Sequence, residues 1–554
     1  MKRIISYIII FSILVTSNLL AYGNTSIVML KDIENHWIND FKEVLYTLQH
    51  LGIITGYPED NSFRPEKQIS RQEFVKALVV AAGYSIENKG IVQRFRDVNP
   101  NLWSYPYIEA AVRNGIIIPE DYIENFEPSR PVTRQEMAIM VVRALDILDS
   151  EQIEFDDFEF KDKSEIPAWA ASFINIAWSK GIITGSKVNE GYIFRPNDTA
   201  TRAEAAIIIH RFLHNKKDLK KLGFYAVKSF EQIKELEIGD IFDDIAFGWG
   251  SLEALENGDI IFSMADSKSD YKRPSGFEEP LHLVEKAGVN KTLMITEART
   301  SLIYPFLENK TFWHTTITEI VEGLRYHNFT GVLIDFENIR NREQGYRQLY
   351  LEFLIELNKE LKSNNYSLSV AVQPNNVMGY YDGYDYSGIA EVADEIILMA
   401  YDYYDRNNTT TPTDHAPIYK VKEALESLIT EGVNPEKIIL GLQVAGATQW
   451  IFRKGNGTIY PSDQIYTPAM SSVYNRLNSS DIKGRINFNP STMTPFFEYS
   501  VVDNAESKDV IIKYENKESI ESKILLAKYY GIKGISVWRI GEIQRDILEL
   551  LVDK

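Results

Sequence analysis

Two acidic residues one position apart, Asp335 and Glu337, are the strongest candidates for chemistry in this chain. They lie in the segment 331–339, which reads Gly-Val-Leu-Ile-Asp-Phe-Glu-Asn-Ile. Read as a strand, this segment places both acids on one side and an apolar row on the other. Carboxylates are costly to bury unless a site uses their charge or proton, so the pair predicts a functional site. A capping role is the structural alternative, because Asp335 could also precede a short helix.

The elements that would position this pair are short apolar runs that alternate with amphipathic helical stretches from Leu222 onward. Such alternation is typical of parallel β/α units. Strands are predicted over 223–227, 244–248, 292–296, 331–337, 368–373, 395–401, 438–444 and 534–538. Helices between several of them are predicted over 316–327, 343–362, 421–431 and 517–530. This α/β pattern predicts a TIM barrel, (β/α)8, in which catalytic residues gather at the C-terminal ends of the strands.

One stretch of this barrel, 450–516, is too long for a plain connection. Segments 496–501 and 509–514 predict a hairpin within it, and therefore a small inserted α+β subdomain beside the cleft. A doubly wound open sheet is the alternative fold, but no glycine-rich phosphate turn follows the first strand.

Length and composition limit the other classes of protein. The 554 residues, 44% of them hydrophobic, are enough for several domains. Residues 1–23 combine a basic N-terminal end, an apolar run and a final stretch with small residues, which predicts a secretory signal peptide. An uncleaved membrane anchor is the alternative, although the apolar run is short for a full span. We expect no transmembrane segment after signal cleavage.

Charge and residue usage exclude further kinds of site. The chain has no cysteine, which excludes thiol chemistry and zinc–thiolate centres. A formal net charge of −19 argues against nucleic acid as a partner. No metal site is predicted, because His210 and His214 lie in a lysine-rich stretch that reads as the surface end of a helix.

Three copies of one small unit precede the barrel. Each copy has an early Asp and Trp, a Gly-Ile-Ile turn, a Phe-x-Pro element and a Ser/Thr-Arg-x-Glu element. The last element begins at Ser70, Thr133 and Thr201, and it predicts a capping box at the start of the second of two helices. Each unit is too small to bury much surface alone, so the three should pack together. The expected domains are a signal peptide at 1–23, repeats at 28–86, 92–147 and 156–214, a linker at 215–221 and the barrel at 222–554.

These motifs resemble the S-layer homology family, whose all-α domains form a three-pronged prism that binds the secondary polymer of a Gram-positive cell wall. The resemblance implies that each copy contributes an arginine and a tryptophan to polymer binding: Arg71, Arg134, Arg202, Trp37, Trp103 and Trp169. Arginine suits an anionic carboxylate and tryptophan suits a sugar face. The alternative is that the arginines only form salt bridges and the tryptophans only pack. The second copy has Ile118-Pro119 where the others have Thr-Gly, which makes its groove the most doubtful.

The segment 329–337 resembles the Asp-Gly-x-Asp-x-Asp-x-Glu motif of glycoside hydrolase family 18. Residues 398–402 are similar to that family's Met-x-Tyr-Asp strand, and 537–541 to its last strand. The residue pattern of these motifs most resembles the bacterial branch of the family that acts on peptidoglycan of spores and walls. The resemblance implies substrate-assisted catalysis, in which the N-acetyl oxygen of the substrate is the nucleophile and no cofactor takes part.

The resemblance also implies roles for individual residues. Glu337 would be the general acid and later the base, Asp335 would hold the acetamido N–H, and Tyr401 would hydrogen-bond the acetamido oxygen. Substrate-binding roles fall on Asp402, Met399, Trp538 and Gln373.

Two motif acids are missing, since Thr330 and Leu333 stand in their places. In the family the middle acid commonly shares a proton with the residue equivalent to Asp335, so we expect slower catalysis or an altered pH profile. The sequence predicts a secreted glycosidase attached to the wall or S-layer, which cleaves N-acetylglucosamine-containing glycan, peptidoglycan in preference to chitin. A catalytically silent carbohydrate-binding wall protein is the alternative.

Overall fold

The computed structural model describes residues 27–87, 93–147, 160–226, 229–342, 344–377, 380–455, 458–460, 464–503 and 506–552. The predicted signal peptide at 1–23 lies outside these residues. The chain divides into two compact units, which contain the repeats and the barrel respectively. Within the described ranges, no helix combines the length and the apolar character that a membrane span requires.

Each repeat contributes the two predicted helices. They are α1 (Lys42–His50) and α2 (Arg71–Ala82), α3 (Tyr105–Arg113) and α4 (Arg134–Leu145), and α5 (Ala168–Ser179) and α6 (Arg202–Asn215). The third copy adds a hairpin of β1 (Ser186–Val188) and β2 (Gly191–Ile193). All three predicted capping boxes are present, at Ser70, Thr133 and Thr201, and each opens the second helix of its copy.

Backbone hydrogen bonds join the three copies into a ring. The N–H of Ile69 donates to the carbonyl of Ala200, and the N–H of Ala200 donates to the carbonyl of Val132. The N–H of Val132 donates to the carbonyl of Ile69 and completes the ring, and each N–O distance is 3.0 Å. The first N–H groups of each second helix have no partner within the helix, and they donate to the Phe-x-Pro loop of another copy. A single copy would leave these donors unpaired, so the sequence needs all three copies to satisfy its helix ends.

The three arginines expected to bind polymer are part of the same ring. Arg71, Arg134 and Arg202 are only 3%, 7% and 8% exposed. Each guanidinium donates to the carbonyl of the Phe-x-Pro phenylalanine in the next copy. The pairs are Arg71 with Phe126, Arg134 with Phe194 (2.8 Å) and Arg202 with Phe63 (3.0 Å). A polymer could therefore use only the donors that these contacts leave over.

The second unit contains the predicted barrel. Its first strands are β3 (Lys220–Tyr225), β4 (Asp244–Ala254), the short β5 (Ile260–Ser263), β6 (Asn290–Glu297), β7 (Gly331–Phe336), β8 (Ser367–Val372), β9 (Glu395–Leu398) and β10 (Ile438–Gln443). An insertion supplies β11 (Thr448–Gly455), β12 (Thr458–Tyr460), β13 (Gly484–Asn489), β14 (Thr494–Asp503) and β15 (Glu506–Lys513), and β16 (Gly534–Trp538) is last. The first strand begins inside the segment predicted as a linker.

The barrel strands follow the order β3-β16-β10-β9-β8-β7-β6-β4, all parallel, and pairing of β3 with β4 closes the barrel. The hairpin strand β5 pairs antiparallel with the outer end of β4. The helices of this unit are α7 (Phe230–Glu235), α8 (Ile238–Ile241), α9 (Glu278–Lys286), α10 (Thr300–Glu308), α11 (Lys310–His327), α12 (Tyr346–Ser363), α13 (Tyr386–Val392), α14 (Ile418–Thr430), α15 (Met470–Leu477), α16 (Lys517–Tyr530) and α17 (Arg545–Leu551).

The two sides of β7 have the predicted environments. Phe336 packs against Phe306 of α10 and Phe353 of α12, on the helical side. Leu333 lies in the interior cluster with apolar residues of the other barrel strands. The capping alternative for Asp335 is wrong, because β7 continues to Phe336 and the next helix begins at Tyr346.

The insertion is larger than the predicted hairpin. Strands β14 and β15 pair as expected, within a five-stranded antiparallel sheet of order β12-β11-β15-β14-β13. Met470 and Val473 of α15 pack on this sheet against Phe497 and Ile512. The insertion therefore has its own small core.

We expect Arg202→Met to destabilise the repeats by about 2–4 kcal/mol, because carbonyls of Phe63 and Thr55 would lose charge-assisted donors in a buried place. Differential scanning calorimetry of the full chain measures the shift. Arg96→Met is the matched control, since Arg96 is exposed and pairs only with Glu124 at the surface. An unchanged melting transition in Arg202→Met would contradict a structural role for the arginine.

Candidate active site

The backbone around Glu337 is held from three directions. Its own N–H donates to the carbonyl of Glu297 on β6 (2.8 Å). The carbonyl before it, of Phe336, accepts from the Tyr384 hydroxyl (2.8 Å). The N–H after it, of Asn338, donates to Oε1 of Gln373 (2.7 Å). This clamp fixes the end of β7, and it places Gln373, expected to contact substrate, as a support for Glu337.

Asp335 is 4% exposed at the end of β7, and its Oδ1 has no hydrogen-bond partner among the described residues. Burial raises the pKa of this carboxyl well above its ordinary value. An unpartnered buried carboxyl oxygen is unusual and indicates a place for a donor from a bound molecule.

Glu337 lies nearer the opening and is partly exposed. Burial raises the pKa of Glu337, and the neighbouring charges of Asp335 and Asp402 raise it further, while Arg406 acts in the opposite direction. The carboxyl is therefore suited to keep its proton near neutral pH and to donate it.

Tyr401 follows β9 and packs on the interior cluster with Met399 beneath it. Its ring requires the absence of a side chain on β10, because a Cβ at Gly441 would lie 2.8 Å from it. Burial raises the pKa of the Tyr401 hydroxyl, and the charge of Asp335 raises it further, so this hydroxyl stays a proton donor in hydrogen bonds.

Asp402 is held by a histidine that the sequence analysis did not connect with it. Nε2 of His415 lies 2.7 Å from Oδ1 of Asp402. Burial acts to raise the pKa of Asp402, but the hydrogen bond and charge of His415 outweigh it and lower the pKa. Asp402 is thus a fixed anion beside the opening. No spacing rule pointed to His415, because it lies across a loop from its partner.

Trp538 ends β16 and packs edge-on against Phe224 of β3 (5.3 Å between ring centroids). It lies beside Tyr271, at 6.3 Å, which the sequence analysis also missed. Tyr271 approaches closely over Gly248, where a Cβ would lie 3.2 Å from its ring. The partly exposed indole of Trp538 packs on the interior cluster of the barrel, so it is the candidate for the apolar floor of a sugar site.

A separate cavity lies between strands β3 and β4 and the helices outside them, where Phe230 of α7 and Pro280 of α9 line it. It has a volume of about 400 Å³ and opens at the C-terminal ends of β3 and β4. Tyr225 and Trp249 give it aromatic walls, and Asp270 and Lys272 give it charge. Neither Asp335 nor Glu337 lines it, so this cavity is distinct from the candidate site.

The repeats carry separate grooves. One, of about 220 Å³, is lined by Trp37 of the first copy, Arg134 of the second, and Thr184 and Arg211 of the third. Trp103 lines another, of about 310 Å³. The three tryptophans are 47%, 52% and 61% exposed at Trp37, Trp103 and Trp169. Exposed indoles beside grooves, as at Trp37 and Trp103, are unusual for residues that only pack.

Known families match both units. Residues 207–542 match the family described as glycosyl hydrolases family 18. Residues 30–75, 94–138 and 159–206 match the S-layer homology domain.

Individual relatives divide in the same way. Over 185 residues the chain is 35% identical to the surface-layer 125 kDa protein of Lysinibacillus sphaericus. This match covers 32% of this chain and 15% of that protein. Over 243 residues it is 26% identical to the putative sporulation-specific glycosylase YdhD of Bacillus subtilis (strain 168). This match covers 44% of this chain and 54% of that protein. Over 239 residues it is 26% identical to the cortical fragment-lytic enzyme of the same organism, with 42% of this chain and 52% of that protein covered. The chain thus spans about half or less of the length of each of these three relatives.

A solved structure supports the barrel fold. The C-terminal domain of a putative chitinase from Desulfitobacterium hafniense DCB-2 superposes with a TM-score of 0.50 and 20% identity, and the match covers 60% of this chain and 98% of that chain. Because the match to the hydrolase family includes more than half of the residues, this chain belongs to glycosyl hydrolases family 18, and it carries three S-layer homology domains before its barrel.

Proposed function

We propose that this protein is a cell-wall-attached glycosidase that hydrolyses β-1,4 bonds after N-acetylglucosamine, in peptidoglycan in preference to chitin. The pair of the buried Asp335 and the partly exposed Glu337 carries the proposal. Burial and like charge favour a protonated Glu337, and the clamp on its backbone holds that proton at the mouth of the barrel.

The chemistry follows from substrate-assisted retention. Glu337 donates its proton to the glycosidic oxygen while the acetamido oxygen attacks the anomeric carbon and forms an oxazolinium ring. Asp335 accepts the acetamido N–H through its unpartnered oxygen and stabilises the positive charge of the ring. The Tyr401 hydroxyl donates to the acetamido oxygen and orients it. Glu337, now ionised, then takes a proton from the water that opens the ring.

The substrate class and the wall attachment have further support. Two relatives are named as a putative sporulation-specific glycosylase and a cortical fragment-lytic enzyme, and these names favour a glycan of the spore or wall as the substrate of this chain. S-layer homology domains indicate attachment at the cell surface. We infer that the repeats hold the secondary wall polymer through Trp37, Trp103 and Trp169, while Arg71, Arg134 and Arg202 chiefly form the walls of the grooves.

A silent carbohydrate-binding protein is the second candidate, and Leu333 is the observation that favours it. Leu333 is fully buried in the apolar interior, in the place of the motif acid that would share a proton with Asp335. Binding would survive this replacement even if catalysis did not.

Glu337→Gln separates the two candidates. We expect it to lower release of reducing ends from purified glycan strands by about 10²–10⁴-fold while binding persists, because the amide has no acidic proton. Glu322→Gln, on the exposed side of α11, is the control and should match the wild type. If the wild type binds strands and releases no ends, the protein is a binding protein.

Charges near Glu337 should move the pH profile in opposite directions. Activity falls as pH rises through the pKa of the general acid. Removing the positive charge in Arg406→Gln raises that pKa, so the basic limb of kcat/KM should move to higher pH. Asp402→Asn removes a negative charge, so the limb should move to lower pH. Each shift should be a few tenths to about one pH unit, and shifts of the same sign would contradict the assignment of Glu337.

Binding to the wall should depend on the exposed tryptophans. We expect Trp37→Ala to weaken sedimentation of the full chain with polymer-bearing wall fragments several-fold to about tenfold, because a sugar face loses its aromatic partner. Tyr326→Ala is the control, because Tyr326 is also an exposed aromatic residue, 79% exposed against 47% for Trp37, but lies on the barrel. Equal binding by both variants would contradict a role for the groove at Trp37.

A further inference from the structure

A cation without a counter-ion lies beside the proposed sugar floor. Arg539 follows Trp538 directly at the end of β16 and forms no ion pair with any described residue. Its Nε is buried and has no hydrogen-bond partner among those residues. A partly buried guanidinium donor without an acceptor is costly, so its persistence at the mouth needs an explanation.

The backbone around Arg539 is fixed. The carbonyl of Trp538 accepts from Val444 N–H on the β10 side (2.7 Å), and Ile540 N–H donates to the carbonyl of Phe224 on β3 (3.0 Å). Arg539 thus sits between two barrel strands at the rim, and its guanidinium is presented from a rigid position. Such preorganisation suits recognition of a planar anion.

The charge of Arg539 acts on the mouth. Burial raises the pKa of the Tyr271 hydroxyl, and the charges of Asp335 and Glu337 raise it further, while Arg539 opposes them. Tyr271 also packs beside Trp538. The Arg539 charge is therefore within electrostatic reach of Tyr271, on the side of the mouth where Trp538 lies.

We propose that Arg539 binds the lactyl carboxylate of an N-acetylmuramic acid residue adjacent to the cleaved bond, and so discriminates peptidoglycan from chitin. This inference rests on the proposed function and names the residue that would select the substrate. In peptidoglycan the sugar next to each N-acetylglucosamine carries a carboxylate, whereas every sugar of chitin is neutral. Paired N–H groups of a guanidinium match the two oxygens of a carboxylate.

The test compares three substrates with the full chain: peptide-free strands of alternating N-acetylglucosamine and N-acetylmuramic acid, the same strands as methyl esters, and N-acetylglucosamine oligomers. We expect the wild type to prefer the free acid over the ester by about ten- to a hundredfold in kcat/KM. Arg539→Met should abolish this preference, so that kcat/KM falls more on the free acid than on the ester or on the neutral oligomers. Arg539→Lys, which keeps the charge and loses the fork, should keep part of it.

Arg545→Met, an exposed arginine nearby in the chain, is the control and should keep the full preference. Equal wild-type rates on acid and ester, or an equal loss by Arg539→Met on all three substrates, would overturn the inference. If the wild type cleaves nothing, the proposed catalysis fails, and binding of the same ligands decides the role of Arg539. A preference for the acid that Arg539→Met removes would then support it, and equal affinities would overturn it.

Discussion

Burial of two carboxyl groups at the end of one strand is the constraint on which the barrel's chemistry depends. Asp335 and Glu337 cannot both ionise cheaply in so little water, so one proton remains on the pair. The surroundings favour Glu337 as its holder, because Asp402 adds a second negative charge on that side. A protonated acid can act on a substrate only from a fixed position. Hydrogen bonds with Glu297, Tyr384 and Gln373 fix the backbone around residue 337.

The repeats solve a different problem, which is how three small units form one stable body. Each second helix begins with donors that only another copy can satisfy, and the buried arginines extend the same arrangement to side chains. Since the arginines are used inside the ring, the exposed Trp37, Trp103 and Trp169 are the residues most available to a polymer. Stability and binding thus fall on different residues of the repeated motif.

Much of the architecture follows from local patterns. Short apolar runs between amphipathic helical stretches identified all eight barrel strands, and the Ser/Thr-x-x-Glu spacing identified the starts of α2, α4 and α6, because both signals lie within a few neighbouring residues. Strand ends were less accurate: β9 ends at Leu398, where the chain bends to bring Tyr401 into the mouth. The five-stranded insertion was only partly predicted, since β11 pairs with β15 across a long sequence separation.

Two of the site residues that sequence analysis missed share one property. His415 and Tyr271 contact partners on other strands or loops, and no local spacing links them to Asp402 or Trp538. Arg539 follows Trp538 directly, but only the structure shows that its Nε is buried without a partner among the described residues. The burial of Arg71, Arg134 and Arg202 was equally hidden, because their acceptors belong to a different copy. Leu333 is the converse case: its replacement of an acid is visible in the sequence, and its place in an apolar layer explains why Asp335 is left without a proton-sharing partner.

Titration of the Glu337 carboxyl carbon by ¹³C NMR tests the central claim most directly, with Glu337→Gln used to assign the signal. The account predicts a midpoint well above the value of about 4.3 that is usual for glutamic acid, with a response to the ionisation of Asp335. A midpoint at or below the usual value would mean that Glu337 is ionised at neutral pH, and the proposed general acid would be wrong.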